Sequence, residues 1–236
     1  MVESLYIVPR WFYQIDIVLG IVFALITGFV ALYAFRLYQL TREREFKLFG
    51  ISFSCLSLSY LMRIAVNVFL TTVVESSQGV RMFNDISFFS KSIIYFYVIL
   101  FLVGYLTLAY MTFKVQNRRA YALLFLLSVL AFAFSMNKSL TFYLIALLFL
   151  IFIVYHYARL YYDGRQQKRL AMLIAMSLLF LSTLGFMFIT DYNFYQGYIL
   201  SNTIEFIAYL IVAYTLYRIR QYGKKKKQIG SDPRYP

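Results

Sequence analysis

Residues 50–72, GISFSCLSLSYLMRIAVNVFLTT, are apolar enough to cross a bilayer, yet they carry an arginine near the middle of the segment. An arginine in hydrocarbon is costly unless it faces protein and finds a partner there. On a helix, the polar side chains of this segment share one arc of about 120°; they are Ser52, Cys55, Ser59, Arg63 and Asn67. The opposite side is apolar, with residues such as Phe53, Leu58, Leu61 and Ile64. The polar stripe should therefore face other helices, either as packing contacts or as one wall of a ligand or ion site.

The rest of the chain repeats this apolar character. Of its 236 residues, 62% are hydrophobic and only 14% are charged, whereas a soluble domain is closer to half apolar. Apolar runs of about 20 residues, the length that spans hydrocarbon, recur along the chain. The composition predicts an all-α, polytopic integral membrane protein. With Cys55 as the single cysteine, no disulfide can form within the chain.

Seven spans are predicted, followed by a basic tail. The spans lie at about 12–35, 48–74, 87–113, 120–136, 140–158, 170–190 and 197–217, so the transmembrane domain covers 1–218 and the tail 219–236. The boundary between the fourth and fifth spans rests on Asn137 and Lys138 alone. Without it the two would form one helix, which is too long for a single crossing.

The distribution of basic residues predicts the orientation of the seven-helix bundle. Of the 23 Lys and Arg residues, 18 fall at the first, third and fifth connections and the C-terminal end, and three fall on the other side. Because Lys and Arg are retained in the cytoplasm, the N-terminus should lie outside and the C-terminus inside a cell membrane. The net charge of +13 thus reflects topology and gives no reason to expect nucleic-acid binding.

Two further stretches suggest contacts with lipid or with other helices. The small residues Gly20, Ala24 and Gly28 recur every four positions in the first span, which favours close helix packing inside the bundle or with a membrane protein partner, including a second copy. Four consecutive lysines, Lys224, Lys225, Lys226 and Lys227, lie in the tail. They act either as a topology signal or as a contact with anionic lipids at the cytoplasmic face.

Four charged residues lie within the predicted spans and balance to zero: Asp16, Arg63, Lys91 and Glu205. Together with Asn67 and Asn202 they form a candidate intramembrane polar cluster. Arg63 and Glu205 both fall near mid-membrane by residue count, so we expect them to interact directly or through an asparagine or water. Asp16 and Lys91 should approach each other nearer the outer face, unless Lys91 extends to the headgroups. The cluster has either a structural or a functional role.

Several chemistries lack their residues in this sequence. The seventh span has no lysine for a retinal Schiff base, and the Asp-Arg-Tyr and Asn-Pro-x-x-Tyr motifs of G-protein-coupled receptors are missing. His156 is the single histidine, which argues against a metal site. No nucleophile is paired with a base in a catalytic pattern. The sequence therefore predicts a non-enzymatic protein without a cofactor.

Residues 41–67, TREREFKLFGISFSCLSLSYLMRIAVN, resemble segments of uncharacterised seven-span membrane proteins of archaea. More distantly, they are similar to the seven-helix sensor regions at the front of some prokaryotic histidine kinases. The resemblance implies a sensor or receptor-like module, or a subunit of a membrane complex. The alternative is a small transporter or proton-coupled channel that uses the intramembrane charges. A polar site open on one side only would favour sensing, and a solvent path to both faces would favour transport.

Overall fold

The structure is a computed structural model. It describes residues 13–75, 83–112, 118–164, 167–192 and 195–230, with side chains described over 15–68, 92–112, 119–163, 170–188 and 196–219. Lys91 and Lys224 to Lys227 therefore lie outside the described side chains.

Seven α-helices and no strand make up the described part of the chain. They are α1 (Tyr13–Thr41), α2 (Arg44–Glu75), α3 (Phe83–Thr112), α4 (Arg118–Phe134), α5 (Lys138–Gly164), α6 (Gln167–Tyr192) and α7 (Tyr195–Gly230). Six are long and apolar enough to cross a membrane, and the exception is α4, with 17 residues. The predicted all-α, membrane-embedded class is thus confirmed. At its C-terminal end α7 runs past residue 219, where the tail was predicted to begin.

Two short connections set the chain reversals. At the first, Arg42 has a φ of 60°, and its N–H donates to the carbonyl of Tyr38 at 2.8 Å. A residue in this left-handed conformation ends an α-helix, so α2 begins only three residues after α1 ends. At the second, Asn137 caps α5 by accepting the Leu140 N–H at 3.2 Å. The predicted break between the fourth and fifth helices is therefore present.

Six of the helices form a closed ring. Following their contacts, the order around the ring is α1, α2, α3, α5, α6 and α7, and α7 returns to α1. In the described part of the chain α4 packs against α3 and α5 only, outside the ring. The predicted seven-helix bundle is thus a ring of six helices with the fourth at its periphery. We call the end where α1 and α7 begin the Asp16 end, and the opposite end the Arg42 end.

The outer surface of the ring is apolar, whereas many polar side chains are buried inside it. On α2, Leu58 and Leu61 are exposed, while Ser52, Ser59 and Asn67 are buried. Leu58 and Leu61 lie on the outer face as predicted, but Phe53, predicted on the same apolar side, is fully buried in the core. A surface of exposed leucine, isoleucine and phenylalanine side chains is suited to contact with lipid.

Small residues allow α1 and α3 to approach α2 closely. In α1, the ladder of Gly20, Ala24 and Gly28 faces α2, and the Ser57 hydroxyl donates to the Ala24 carbonyl at 2.8 Å. On the other side of α2, the Ser52 hydroxyl donates to the Gly104 carbonyl at 2.6 Å. The small-residue ladder therefore packs within the chain. A side chain in place of Gly20 or Gly28 would meet α2.

We expect Gly104→Ala to lower stability. A Cβ at this position would lie 2.9 Å from Leu56 Cγ and 3.2 Å from the Ser52 carbonyl oxygen, so α2 and α3 must separate. Overpacking of this kind costs about 1–3 kcal/mol. Gly28→Ala is the control, since its Cβ would meet only the Ser57 hydroxyl at 3.3 Å. Thermal unfolding in detergent measures both, and equal melting temperatures for the two variants would contradict the predicted close contact.

Candidate functional site

A buried ion pair lies near the Asp16 end of the ring. Arg63 of α2 and Asp16 of α1 are joined by an Nη2–Oδ1 distance of 2.6 Å. The Asp16 side chain is 2% exposed and that of Arg63 is 14% exposed, so both are largely removed from solvent. Asp16 lies in the first turn of α1, where the helix dipole favours a negative charge. The pair joins two neighbouring helices of the ring.

Tyr198 connects α7 to this ion pair. Its hydroxyl donates to Asp16 Oδ1 at 2.7 Å and also accepts a hydrogen bond from Arg63. The second carboxylate oxygen of Asp16 accepts from Asn67 Nδ2 at 2.7 Å. Asp16 is thus held by three side chains on two other helices, and all of these bonds involve a charged group. Such bonds are stronger than those between neutral groups.

Further polar side chains border the pair. Tyr97 of α3 lies close enough to Arg63 to interact with it, and Asn202 donates to the Tyr198 carbonyl at 2.8 Å. The amide oxygens of Asn67 and Asn202 are buried and accept no hydrogen bond from the described residues. Two open acceptors beside a charged cluster provide positions for water or for a donor group of a ligand.

Glu205 occupies a second level, deeper in the ring. It is seven residues beyond Tyr198 on α7, or about 10 Å along the helix, and it is 5% exposed. Its Oε1 accepts a hydrogen bond from Tyr60 of α2 and a longer one, at 3.3 Å, from Tyr209. The two tyrosine hydroxyls are 2.9 Å apart. Glu205 is therefore held by phenol groups, and no cation contacts it in the described part of the chain.

The direct ion pair between Arg63 and Glu205, one form of their predicted interaction, is absent among the described side chains. Arg63 instead pairs with Asp16 and Tyr198, and Glu205 with Tyr60 and Tyr209. The reason is depth, because Arg63 reaches α7 at Tyr198, and Glu205 lies about 10 Å further along that helix. The two charges influence each other only at longer range. The predicted approach of Asp16 and Lys91 falls outside the described side chains.

The polar groups do not continue to the Arg42 end through the same part of the ring. Below Glu205, the Tyr209 ring packs edge-on against Phe53, with centroids 6.3 Å apart, and Phe53 stacks on Phe49 at 4.6 Å. Leu56 and Val212, on the same two helices, are fully buried. Among the described side chains, the polar site therefore extends from the Asp16 end to about the middle of the ring.

The sequence reasoning missed three tyrosines of this site, Tyr60, Tyr198 and Tyr209. Two of them carry a signal, because Tyr198, Asn202, Glu205 and Tyr209 are spaced so that they share one face of a helix. Tyr60 lies one turn from Arg63 on the same helix. The chain has 23 tyrosines, and many lie at predicted membrane interfaces, so this spacing alone does not distinguish the site tyrosines from the others.

The described residues include no group of three or more His, Cys, Asp or Glu side chains that could hold a metal ion. No protein-family model, curated protein or solved structure matches this chain.

We expect Tyr198→Phe to lower stability by about 2 kcal/mol, since it removes the hydroxyl that bonds both members of the ion pair. Tyr162→Phe is the control, because that side chain is 79% exposed and its hydroxyl can bond to solvent. Denaturant unfolding in mixed micelles compares the two. A Tyr198→Phe protein as stable as the control would show that the hydroxyl contributes nothing to the cluster.

Proposed function

We propose that this chain is a multi-pass protein of the cell membrane that acts as a sensor or receptor-like module. Its seven helices all cross the bilayer, with the N-terminus outside and the C-terminus in the cytoplasm. The Asp16 end then faces outward, and the polar cluster of Asp16, Arg63, Asn67 and Tyr198 lies beneath the outer surface. Signals at this cluster change the packing of α1, α2 and α7.

The one-sided extent of the polar site carries this proposal. From the Asp16 end, polar side chains lead through Arg63 and Tyr198 to Glu205, where apolar packing against Phe53 begins. A transporter must expose its site alternately to both faces of the membrane. A receptor needs access from one face, together with helices whose packing depends on the occupied site.

The orientation is supported by the positions of the charges. The connection between α1 and α2 contains exposed Arg42 and Arg44, and it belongs to the side that holds 18 of the 23 basic residues. The same side receives the end of α7. At 36 residues, this helix is about 54 Å long, well beyond the 30 Å of a hydrocarbon core. Lys224 to Lys227 belong to this extension, and we propose that they contact anionic lipids of the cytoplasmic leaflet.

The resemblance to the sensor regions of prokaryotic histidine kinases agrees with a signalling role that depends on a partner. The described chain holds no recognisable catalytic set, so we propose that its output passes to another membrane protein. The peripheral position of α4, which packs against only α3 and α5 in the described residues, leaves much of its apolar surface available for such a contact or for lipid.

The alternative is a small transporter or a proton-coupled channel. Glu205 favours it, because a buried carboxyl group at mid-membrane is typical of proton pathways. That function requires a polar route from Glu205 to the Arg42 end. The fully buried Phe53, Leu56 and Val212 occupy this region, so the ring must rearrange before anything could pass.

Cysteine accessibility tests the proposal. In a Cys55→Ala background, a membrane-impermeant thiol reagent should label Tyr97→Cys from outside intact cells, because Tyr97 lies beside Arg63 and is partly exposed. Val212→Cys, a nearly isosteric change at a fully buried site, should react from neither side. Met136→Cys, at a position 96% exposed, should be labelled from outside, and Glu43→Cys only after permeabilisation.

Labelling of Val212→Cys from the cytoplasm, together with Tyr97→Cys from outside, would favour transport. Labelling of Glu43→Cys in intact cells would reverse the proposed orientation. Each variant is first checked for normal membrane insertion and folding, so that an unfolded protein is not scored as accessible.

A further inference from the structure

We propose that Glu205 is a reversible proton-binding site, formed with the hydroxyls of Tyr60 and Tyr209 and reached from the Asp16 end of the ring. The step is the addition of one proton from water to the Glu205 carboxylate, which gives the neutral carboxylic acid, and its return to water on release. No other bond is broken and no electron is transferred. The inference rests on the proposed sensor function and identifies the proton as its ligand.

Charge balance in the ring singles out Glu205. Asp16 and Arg63 neutralise each other at 2.6 Å, and in the described part of the chain the hydrogen bonds to Glu205 come from phenol groups. Protonation of Glu205 therefore changes the net charge of the described cluster from minus one to zero. A change of one charge in a medium of low dielectric constant is a large electrostatic perturbation.

Aromatic side chains enclose the Glu205 site. The ring of Tyr60 lies 5.3 Å from that of Phe23 and 6.1 Å from that of Phe101, and Tyr209 lies 5.9 Å from Phe23, all between centroids. These contacts come from α1, α2, α3 and α7, so they surround the carboxyl group with apolar surface. Water is thereby kept from stabilising the charge, and the tyrosine hydroxyls take over that task.

The hydroxyl network can adjust to either protonation state. With Glu205 ionised, Tyr60 and Tyr209 both donate to Oε1. A phenol hydroxyl can also accept a hydrogen bond, so the network can reorient when the carboxyl group is neutral. Both tyrosine hydrogen bonds go to Oε1, so we assign the proton to the other oxygen, Oε2.

The titratable and charged groups around this site come from four helices. They are Asp16 of α1, Tyr60 and Arg63 of α2, Tyr97 and Tyr105 of α3, and Tyr209 of α7. Arg63 and Asp16 act on Glu205 with opposite sign and from a greater distance than the tyrosines. A proton at Glu205 therefore alters the electrostatic environment of the ion pair, which links the two levels of the cluster.

Infrared spectroscopy of the full chain in an ester-free detergent tests the proposal. The carbonyl-stretch band of a protonated carboxylic acid should appear as the pH is lowered, within the range where the protein stays folded. The band should be lost in Glu205→Gln, which keeps the size and the acceptor oxygen of the side chain. It should persist in Asp163→Asn, the matched control with an exposed carboxyl group on α5.

A second variant keeps the test valid if Glu205→Gln fails to fold. Tyr60→Phe removes one hydrogen bond to the carboxylate, and it should move the midpoint of the band by about one pH unit or more. A band assigned to Glu205 that does not change with pH in the wild-type protein would overturn the proposal. So would a midpoint that is the same in the wild type and in Tyr60→Phe.

The titration is made in detergent and does not depend on membrane orientation or on access from one face. A protein that titrates at Glu205 but fails the cysteine-labelling test retains the proton site and loses the sensor function. A protein that passes the labelling test without titrating retains the sensor function and loses the proton as its ligand.

Discussion

Arg63 must be neutralised inside the ring, and the rest of the site follows from how this is done. A charged side chain placed in hydrocarbon is tolerated only with a partner, and α1 supplies one in Asp16. The pair then needs further hydrogen bonds to offset the loss of hydration. Tyr198 and Asn67 provide them, so α1, α2 and α7 are tied together at one end of the ring.

Among the described side chains, the same arrangement leaves Glu205 without a direct ion pair. It sits one level deeper, where α2 and α7 meet across the interior through the side chains of Tyr60 and Tyr209. Its described hydrogen bonds come from phenols within a shell of aromatic rings. Burial and these bonds, rather than a direct ion pair, therefore determine how stable its charged form is. The two levels of the cluster thereby differ: the first is an ion pair, and the deeper one is a carboxyl group hydrogen-bonded to tyrosines.

The sequence predicted that the polar face of α2 turns inward, because polar side chains on one face of a membrane helix must face protein rather than lipid. The break between α4 and α5 was also predicted, from Asn137 and Lys138 in an otherwise apolar stretch, and the structure shows Asn137 capping α5. The pairing of Arg63 with Asp16 was not predicted. The depth of Arg63 was calculated from the helix rise alone, which ignores helix tilt and the length of the arginine side chain. The arginine side chain instead pairs with Asp16.

The order of the helices in the ring could not be read from the sequence either. Short connections make neighbours in sequence neighbours in space, as for α1 and α2. They do not determine that α3 should pack on α5 and leave α4 outside the ring. That choice depends on close side-chain packing, such as Phe101 against Phe142 with centroids 5.4 Å apart. Residues of this kind are uniformly apolar in sequence and carry no pairing information.

Double-mutant cycles test most directly whether Asp16 is the partner of Arg63. The free energy of unfolding is measured for Asp16→Ala, Arg63→Ala and their combination, and then for Glu205→Ala with Arg63→Ala. The structure predicts a coupling of at least about 1 kcal/mol between Asp16 and Arg63, and near additivity, within about 0.5 kcal/mol, for Glu205 and Arg63. A larger coupling for Glu205 than for Asp16 would contradict this assignment.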